Sequence, residues 1–349
     1  MSLFPSASRL FRIACVLLSL LPLANPLRAL EPQPLSVPAP GPVTKEPYAP
    51  QPILQGGIVL PLYTPGSHFL KADRAPEAEH YAMSANVPGR IQNIVNIHNP
   101  SIEVHLADGN RTGTAVILVP GGGHRTLGVS TEGSDFVGWF YNYGVTTIIL
   151  RYRLRNDGYD AEVDAVNDAF QAIRLVRAHA AEWKVDPARI GVIGFSAGAE
   201  LAGTTAIAYD GFDQTNHAAN DPLAAFSSRP DFVGLLYPGP TPFTRNPAIK
   251  PPANTPPTFI ASAGSGDKIH AIWASDYFSA MLKAGIPNLE MHIYGNGVHA
   301  DGLKDRGGIP FGTWQDRFVD WFRDLGFLSA PGTETKAARD LAAFVKPAP

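Results

Sequence analysis

Gly194-Phe195-Ser196-Ala197-Gly198 is a spacing that can turn a serine into a nucleophile. The two glycines permit a sharp strand-to-helix turn that lifts the hydroxyl off the end of a sheet. A lone G-x-S-x-G arises often in a chain with 33 glycines. Its setting supplies the weight: the apolar run Ile190 to Phe195 enters it, and a helical pattern leaves from Ala197. A helix starting there also offers unpaired amides where negative charge would develop. The second feature is Pro120-Gly121-Gly122-Gly123-His124, directly after the apolar run Ala115 to Val119. A tetrahedral oxyanion needs convergent backbone donors with no side chain in the way, so the amides of Gly122 or Gly123 and of Ala197 are assigned that role. Taken alone, the loop also reads as a tight turn needing positive φ. No Gly-Lys-Ser/Thr follows these glycines and the G-x-G-x-x-G spacing is absent, which argues against a phosphate cradle. His124 reads equally as a substrate contact at a pocket mouth or as polar surface.

Serine needs a neutral imidazole to take its proton, and that imidazole needs an oriented acceptor on its other nitrogen. Of the ten histidines, His299 lies in Gly295-Asn-Gly-Val-His299, a loop after the last expected strand, where it can reach across to Ser196. His68, His80, His98 and His105 precede the sheet core, His179 lies in a helix, His217 follows the nucleophile helix and His292 lies within a strand. For the acid, Asp267 ends the loop Ala263-Gly-Ser-Gly-Asp267, giving the chain order serine, acid, histidine. Asp276 falls inside the next helix pattern. Asp301, the second residue after His299, is the closer rival and more naturally begins the following segment. His270 either caps a helix or lines the cleft.

These residues need elements to hold them. Apolar runs at 115–119, 145–150, 190–195, 232–237, 258–261 and 289–294 lack strict polar alternation, as strands covered on both faces do. Between them, Val163, Val166, Phe170, Ile173, Val176, Ala180 and Trp183 form one helical stripe. Further helices are expected at 132–143, 197–209, 271–284 and 314–325. Strands alternating with helices imply an α/β fold with a mostly parallel, doubly wound sheet; a TIM barrel is the poorer choice. Short strands at 59–63, 91–95 and 102–106 are expected as N-terminal antiparallel additions at one edge of that sheet; a separate small domain is the alternative.

The ends of the chain bound where it works. Arg9 and Arg12 precede an 11-residue apolar run, Ile13 to Leu23, too short to cross a hydrocarbon core of roughly 30 Å, and Ala29 suits a cleavage site. Residues 1–29 therefore read as a signal peptide, with export to the periplasm or beyond and no stable membrane insertion. Residues 30–52 form a proline-rich leader, 53–328 the catalytic domain, and 329–349 a tail with a short surface helix from Glu334 to Val345. Losing three arginines and no acid with the signal peptide takes the formal charge from −3 to −6, which offers no footprint for nucleic acid. The single cysteine, Cys15, leaves with it, so the mature chain can form no disulfide.

Together these segments resemble bacterial secreted esterases related to acetylxylan and other carbohydrate acetyl esterases, within the α/β-hydrolase superfamily. The resemblance lies in Val119-Pro-Gly-Gly-Gly-His124, Glu132-Gly133, Arg151-Tyr-Arg-Leu154, the stretch from Asp186 to Gly198, and Arg229-Pro-Asp-Phe232. It runs from Ile91 to Leu325. It implies Ser196, Asp267 and His299 as a triad, the 121–123 loop as oxyanion hole, no metal or organic cofactor, and a small ester or acylated carbohydrate as substrate. Two departures stand out. Proline precedes the glycines where many relatives have histidine, and Ser262-Ala-Gly-Ser-Gly-Asp-Lys268 differs from the usual His-Gly-x-x-Asp loop. No paired-carboxylate glycosidase arrangement emerges. The rival functions are a general carboxylesterase or peptidase on the same fold, and a noncatalytic carbohydrate-binding or scaffold protein.

Overall fold

The computed structural model describes residues 45–215, 221–300, 303 and 310–345. The expected signal peptide, most of the proline-rich leader, His217 and Asp301 lie outside the described residues. Eight strands form one sheet: β1 (Ile58–Pro61), β4 (Ser101–His105), β6 (Thr146–Arg151), β5 (Ala115–Val119), β7 (Ile190–Phe195), β8 (Val233–Leu236), β9 (Thr258–Ala263) and β10 (Glu290–Tyr294), in that spatial order. From β6 to β10 all neighbours run parallel, whereas β1 on β4 and β4 on β6 are antiparallel. Every side chain of β5, β6, β7 and β9 is buried, which explains why their sequences lack strict polar alternation.

One expectation at the edge needs correction. Ile91–Val95 does not join the main sheet; it is β3 and pairs antiparallel with β2 (His80–Met83) in a separate two-stranded sheet. The β2 segment, His-Tyr-Ala-Met, carries too little hydrophobic contrast to announce itself as a strand. Its burial alternates only between exposed and half-buried.

The helices are α1 (Asp135–Tyr141), α2 (Val166–Ala178), α3 (Ala180–Trp183), α4 (Ala197–Thr215), α5 (Pro242–Arg245), α6 (Lys268–Lys283), α7 (Trp314–Asp324) and α8 (Lys336–Val345). The expected stripe holds from Val166 to Trp183, all buried, but Val163 is 54% exposed because it sits in a wider turn ahead of α2. Phe136 and Phe140 on α1 meet Trp314 and Phe318 on α7 with ring centroids 6.0 and 6.2 Å apart. Each buried aromatic or large aliphatic side chain contributes about 1.5–3 kcal/mol. The tail is tied down as well: Arg189 donates to the carbonyls of Ser329, Ala330 and Thr333.

Two buried arginines fasten the N-terminal segment to the sheet. Arg151, at the end of β6, donates to Glu79 Oε2 at 3.0 Å and Glu103 Oε2 at 2.9 Å, while Glu103 also accepts from the amide of Leu54 at 2.9 Å. Arg153 holds Asp168 on α2 through Nε and Nη2, at 2.9 and 2.7 Å. Tyr63 donates to the same carboxylate at 2.9 Å. The motif Arg151-Tyr-Arg-Leu154 is thus structural.

The topology also decides where chemistry can sit. From β5 the chain crosses to β6 on one side and then returns to β7 on the other. Crevices form where strand order reverses in this way, outside the carboxyl ends of the strands. Val119 pairs with Gly194, so the glycine loop and the serine turn leave adjacent strands at the same level.

Candidate active site

Ser196 occupies the turn between β7 and α4 with φ of 52°, a left-handed conformation that costs a non-glycine residue energy. The turn is over-determined by its surroundings. The Ser196 amide donates to the Leu236 carbonyl at 3.0 Å, and its own carbonyl accepts from Gly239 at 3.1 Å. Both flanking glycines are required by space. A Cβ on Gly194 would lie 2.3 Å from the Gly198 carbonyl oxygen, and one on Gly198 would lie 1.9 Å from that of Val119.

The base and acid reach the serine through paired loops. Gly264 and Ser265 donate to the carbonyls of Tyr294 and Gly295 at 2.7 and 3.1 Å, and Gly266 bridges Val298, so the parallel pairing of β9 and β10 continues into both loops. A Cβ on Gly266 would lie 1.8 Å from the Gly297 oxygen. The glycines that set this acid loop apart in sequence are therefore what let the two loops touch. His299 Nε2 then lies 2.8 Å from Ser196 Oγ, and Nδ1 lies 2.8 Å from Asp267 Oδ2. With Nδ1 donating to the carboxylate, the neutral ring accepts from the serine hydroxyl at Nε2. Both ring nitrogens are thereby engaged by residues named from the sequence.

Asp267 has a second partner. His270, on the first turn of α6, donates Nδ1 to Asp267 Oδ1 at 2.5 Å and stacks on His299 with centroids 3.9 Å apart. Burial pushes the Asp267 carboxyl up, but the hydrogen bonds from His270 and His299 outweigh it and hold it below the usual carboxylate range. Asp267, His270 and His299 bring metal-ligand atoms within 4.8 Å of one another. Their nitrogens face separate oxygens of one carboxylate and the rings stack, which makes a hydrogen-bonded unit rather than a set converging on an ion.

The glycine loop lies against the serine: a Cβ on Gly121 would stand 2.9 Å from Ser196 Cβ. The Gly121 amide is already taken by Glu132 Oε2 at 2.6 Å. Among the described residues the amides of Gly122, Gly123 and Ala197 have no acceptor. Glu132 is buried and also accepts from Tyr237 at 3.0 Å; the Tyr237 ring stands edge-on to His299 at 5.1 Å. This acid therefore joins the glycine loop to the wall behind the imidazole. In the sequence Glu132 carries no assigned role; its one signal is an acid eleven residues past Gly121, at the start of a helix pattern. His124 is not surface: it is 4% exposed, with φ of 58°, and its Nε2 lies 3.5 Å from Glu200 Oε2.

A mostly parallel sheet with a serine on a strained strand-to-helix turn, hydrogen-bonded to a histidine and through it to an aspartate, is the arrangement of an α/β-hydrolase serine hydrolase. Known proteins agree. A protein-family model described as BD-FAE matches residues 102–231. An acetylxylan esterase of Xylanibacter ruminicola is 27% identical over 259 residues, which is 66% of this chain and 48% of that protein. The chain thus spans about half the length of that curated relative. An acetyl ester-xyloside bifunctional hydrolase from Caldicellulosiruptor lactoaceticus superimposes with a TM-score of 0.62 at 25% identity, covering 78% of this chain and 97% of that one. A thermophilic esterase from Thermogutta terrifontis shares the fold, with a TM-score of 0.55 at 22% identity over 68% of this chain and 91% of its own. The chain is related to bacterial α/β-hydrolase esterases of the BD-FAE and acetylxylan-esterase kind. Among the described residues no helix is long and apolar enough to cross a membrane.

Proposed function

We propose that this protein is a serine ester hydrolase that removes short acyl groups, acetyl above all, from carbohydrates or xylan fragments. The observation that carries the reading is the continuous path from Asp267 through His299 to Ser196 Oγ, two contacts of 2.8 Å each, beside amides that have no acceptor among the described residues. In this reading Ser196 attacks the ester carbonyl while His299 takes its proton. The Gly122 or Gly123 and Ala197 amides receive the developing oxyanion, and Asp267 steadies the imidazolium. His299 then protonates the departing alcohol. Water, activated by His299, attacks the acyl-enzyme, and collapse of the second tetrahedral intermediate frees the carboxylic acid and returns the proton to Ser196.

The acetylxylan esterase and the acetyl ester-xyloside hydrolase among the relatives support the sugar-acetate substrate. A charged sequence start and short apolar run support export. The reading is tested by comparing acetylated xylo-oligosaccharides with simple acetyl, longer acyl, feruloyl and peptide substrates. Preference for acetylated sugars is the expected result; preference for long acyl chains or amides would overturn it. Export is checked by mass determination of the mature N-terminus, expected at Leu30.

A further inference from the structure

Beside the serine turn lies a cavity of about 220 Å³ whose lining includes His124, Val166, Glu200, Leu201, Arg245 and Ile249. It adjoins the chemistry from two directions. His124 follows the glycine loop directly, and Glu200 stands four residues after Ser196 on α4, one helical turn away. Glu200 also presses on Gly239, whose amide holds the Ser196 carbonyl: a Cβ on Gly239 would lie 2.1 Å from Glu200 Oε1.

The cavity is polar along one edge and apolar over the rest. Arg245 on α5 hydrogen-bonds Glu200 Oε2, and its Nε lies 3.6 Å from Glu162. His124 Nε2 lies 3.5 Å from the same Glu200 oxygen, while its buried Nδ1 has no hydrogen-bond partner among the described residues. A buried imidazole nitrogen without a partner carries the cost of a lost hydrogen bond. An alkyl chain filling this space would strip water from the Glu200 and Arg245 charges and give nothing back. A hydroxyl can donate to the carboxylate or to an imidazole nitrogen and accept from the guanidinium, while the C–H face of a ring covers Val166, Leu201 and Ile249.

We propose that this cavity receives the alcohol side of the ester as one hydroxyl-rich sugar ring, with Glu200, Arg245 and His124 bonding its hydroxyls. The inference rests on the ester-hydrolase reading and narrows it: recognition is of a single ring rather than of a long polymer or a long acyl chain.

The test compares acetylated xylobiose with ethyl acetate, which has no hydroxyls on its alcohol, in the wild type, Glu200→Gln and Arg245→Met. The ratio of kcat/KM for the sugar ester over the alkyl ester should fall at least tenfold in both variants, mostly through KM; tenfold is about 1.4 kcal/mol. An unchanged ratio in variants with wild-type circular dichroism and Tm overturns the proposal, whether both substrates are retained or both lost in parallel. If the wild type cleaves neither ester, the ester-hydrolase reading fails. Calorimetric titration with xylobiose then still reads the cavity: binding that both variants lose supports it, and no binding to the wild type overturns it.

Discussion

Two clusters of buried polar groups in this protein have opposite organisation. Around Arg151 and Arg153, guanidinium and carboxylate meet in multiple bonds: Glu103 alone takes Arg151, His105 and the amides of Ile53 and Leu54. Around Ser196, the amides of Gly122, Gly123 and Ala197 have no acceptor among the described residues, and the His299 side chain is 33% exposed. Paired polar groups tie to the sheet an N-terminal segment whose Ile91, Ile94, Ile102 and Val104 are themselves buried in the core. Groups without partners are held for a charge that exists only during reaction, and the fold bears that cost through the strained turn at Ser196.

The contrast can be broken at each end. Ser196→Ala should lower kcat by about 10⁵ to 10⁶-fold while leaving Tm essentially unchanged, read by short-chain ester hydrolysis and thermal unfolding. Asp267→Asn should lower kcat by about 10⁴-fold, because an amide at Nδ1 favours the wrong tautomer. Arg151→Met should act in the other currency. It leaves Glu79 and Glu103 buried without their cation and should cost about 3–5 kcal/mol in denaturant unfolding, with activity per folded molecule retained. Glu132→Gln should fall between the two, with a loss of about tenfold in kcat, roughly 1.4 kcal/mol, and little change in KM, since it loosens the glycine loop rather than removing a donor.

The smallest effect concerns pH. The carboxyl of Asp267 is depressed in the folded state, so the unfolded chain binds its proton first as pH falls. The stability this group contributes is fully present above the usual carboxylate range and is lost as pH drops through its lowered value. The stability difference between wild type and Asp267→Asn should therefore narrow toward acid, as measured by denaturant midpoints across pH 6 to 3. A difference constant over that range would show that His270 and His299 do not hold the carboxylate.

The legible parts were those written in local chain chemistry. Gly194 and Gly198 announce the turn because no other residue fits there, and buried strands announce themselves by continuous apolar runs. Asp267 and His299 could be named because each follows a strand, where loops converge. Long-range polar pairing left no such trace. Glu132, Tyr237, Glu200 and His270 acquire their positions only when the sheet closes, and β2 forms only because β3 is there to pair with it. Arg151 and Arg153 were visible as a motif, yet their partners Glu79, Glu103 and Asp168 lie from 15 to 72 residues away.

Whether Ser196 is an activated nucleophile can be read with a fluorophosphonate probe and peptide mass spectrometry. One adduct per chain is expected, on Ser196, absent in Ser196→Ala and formed far more slowly in His299→Ala. Ester turnover by a pure preparation in which Ser196 stays unlabelled, or labelling that persists at another serine in Ser196→Ala, would contradict it.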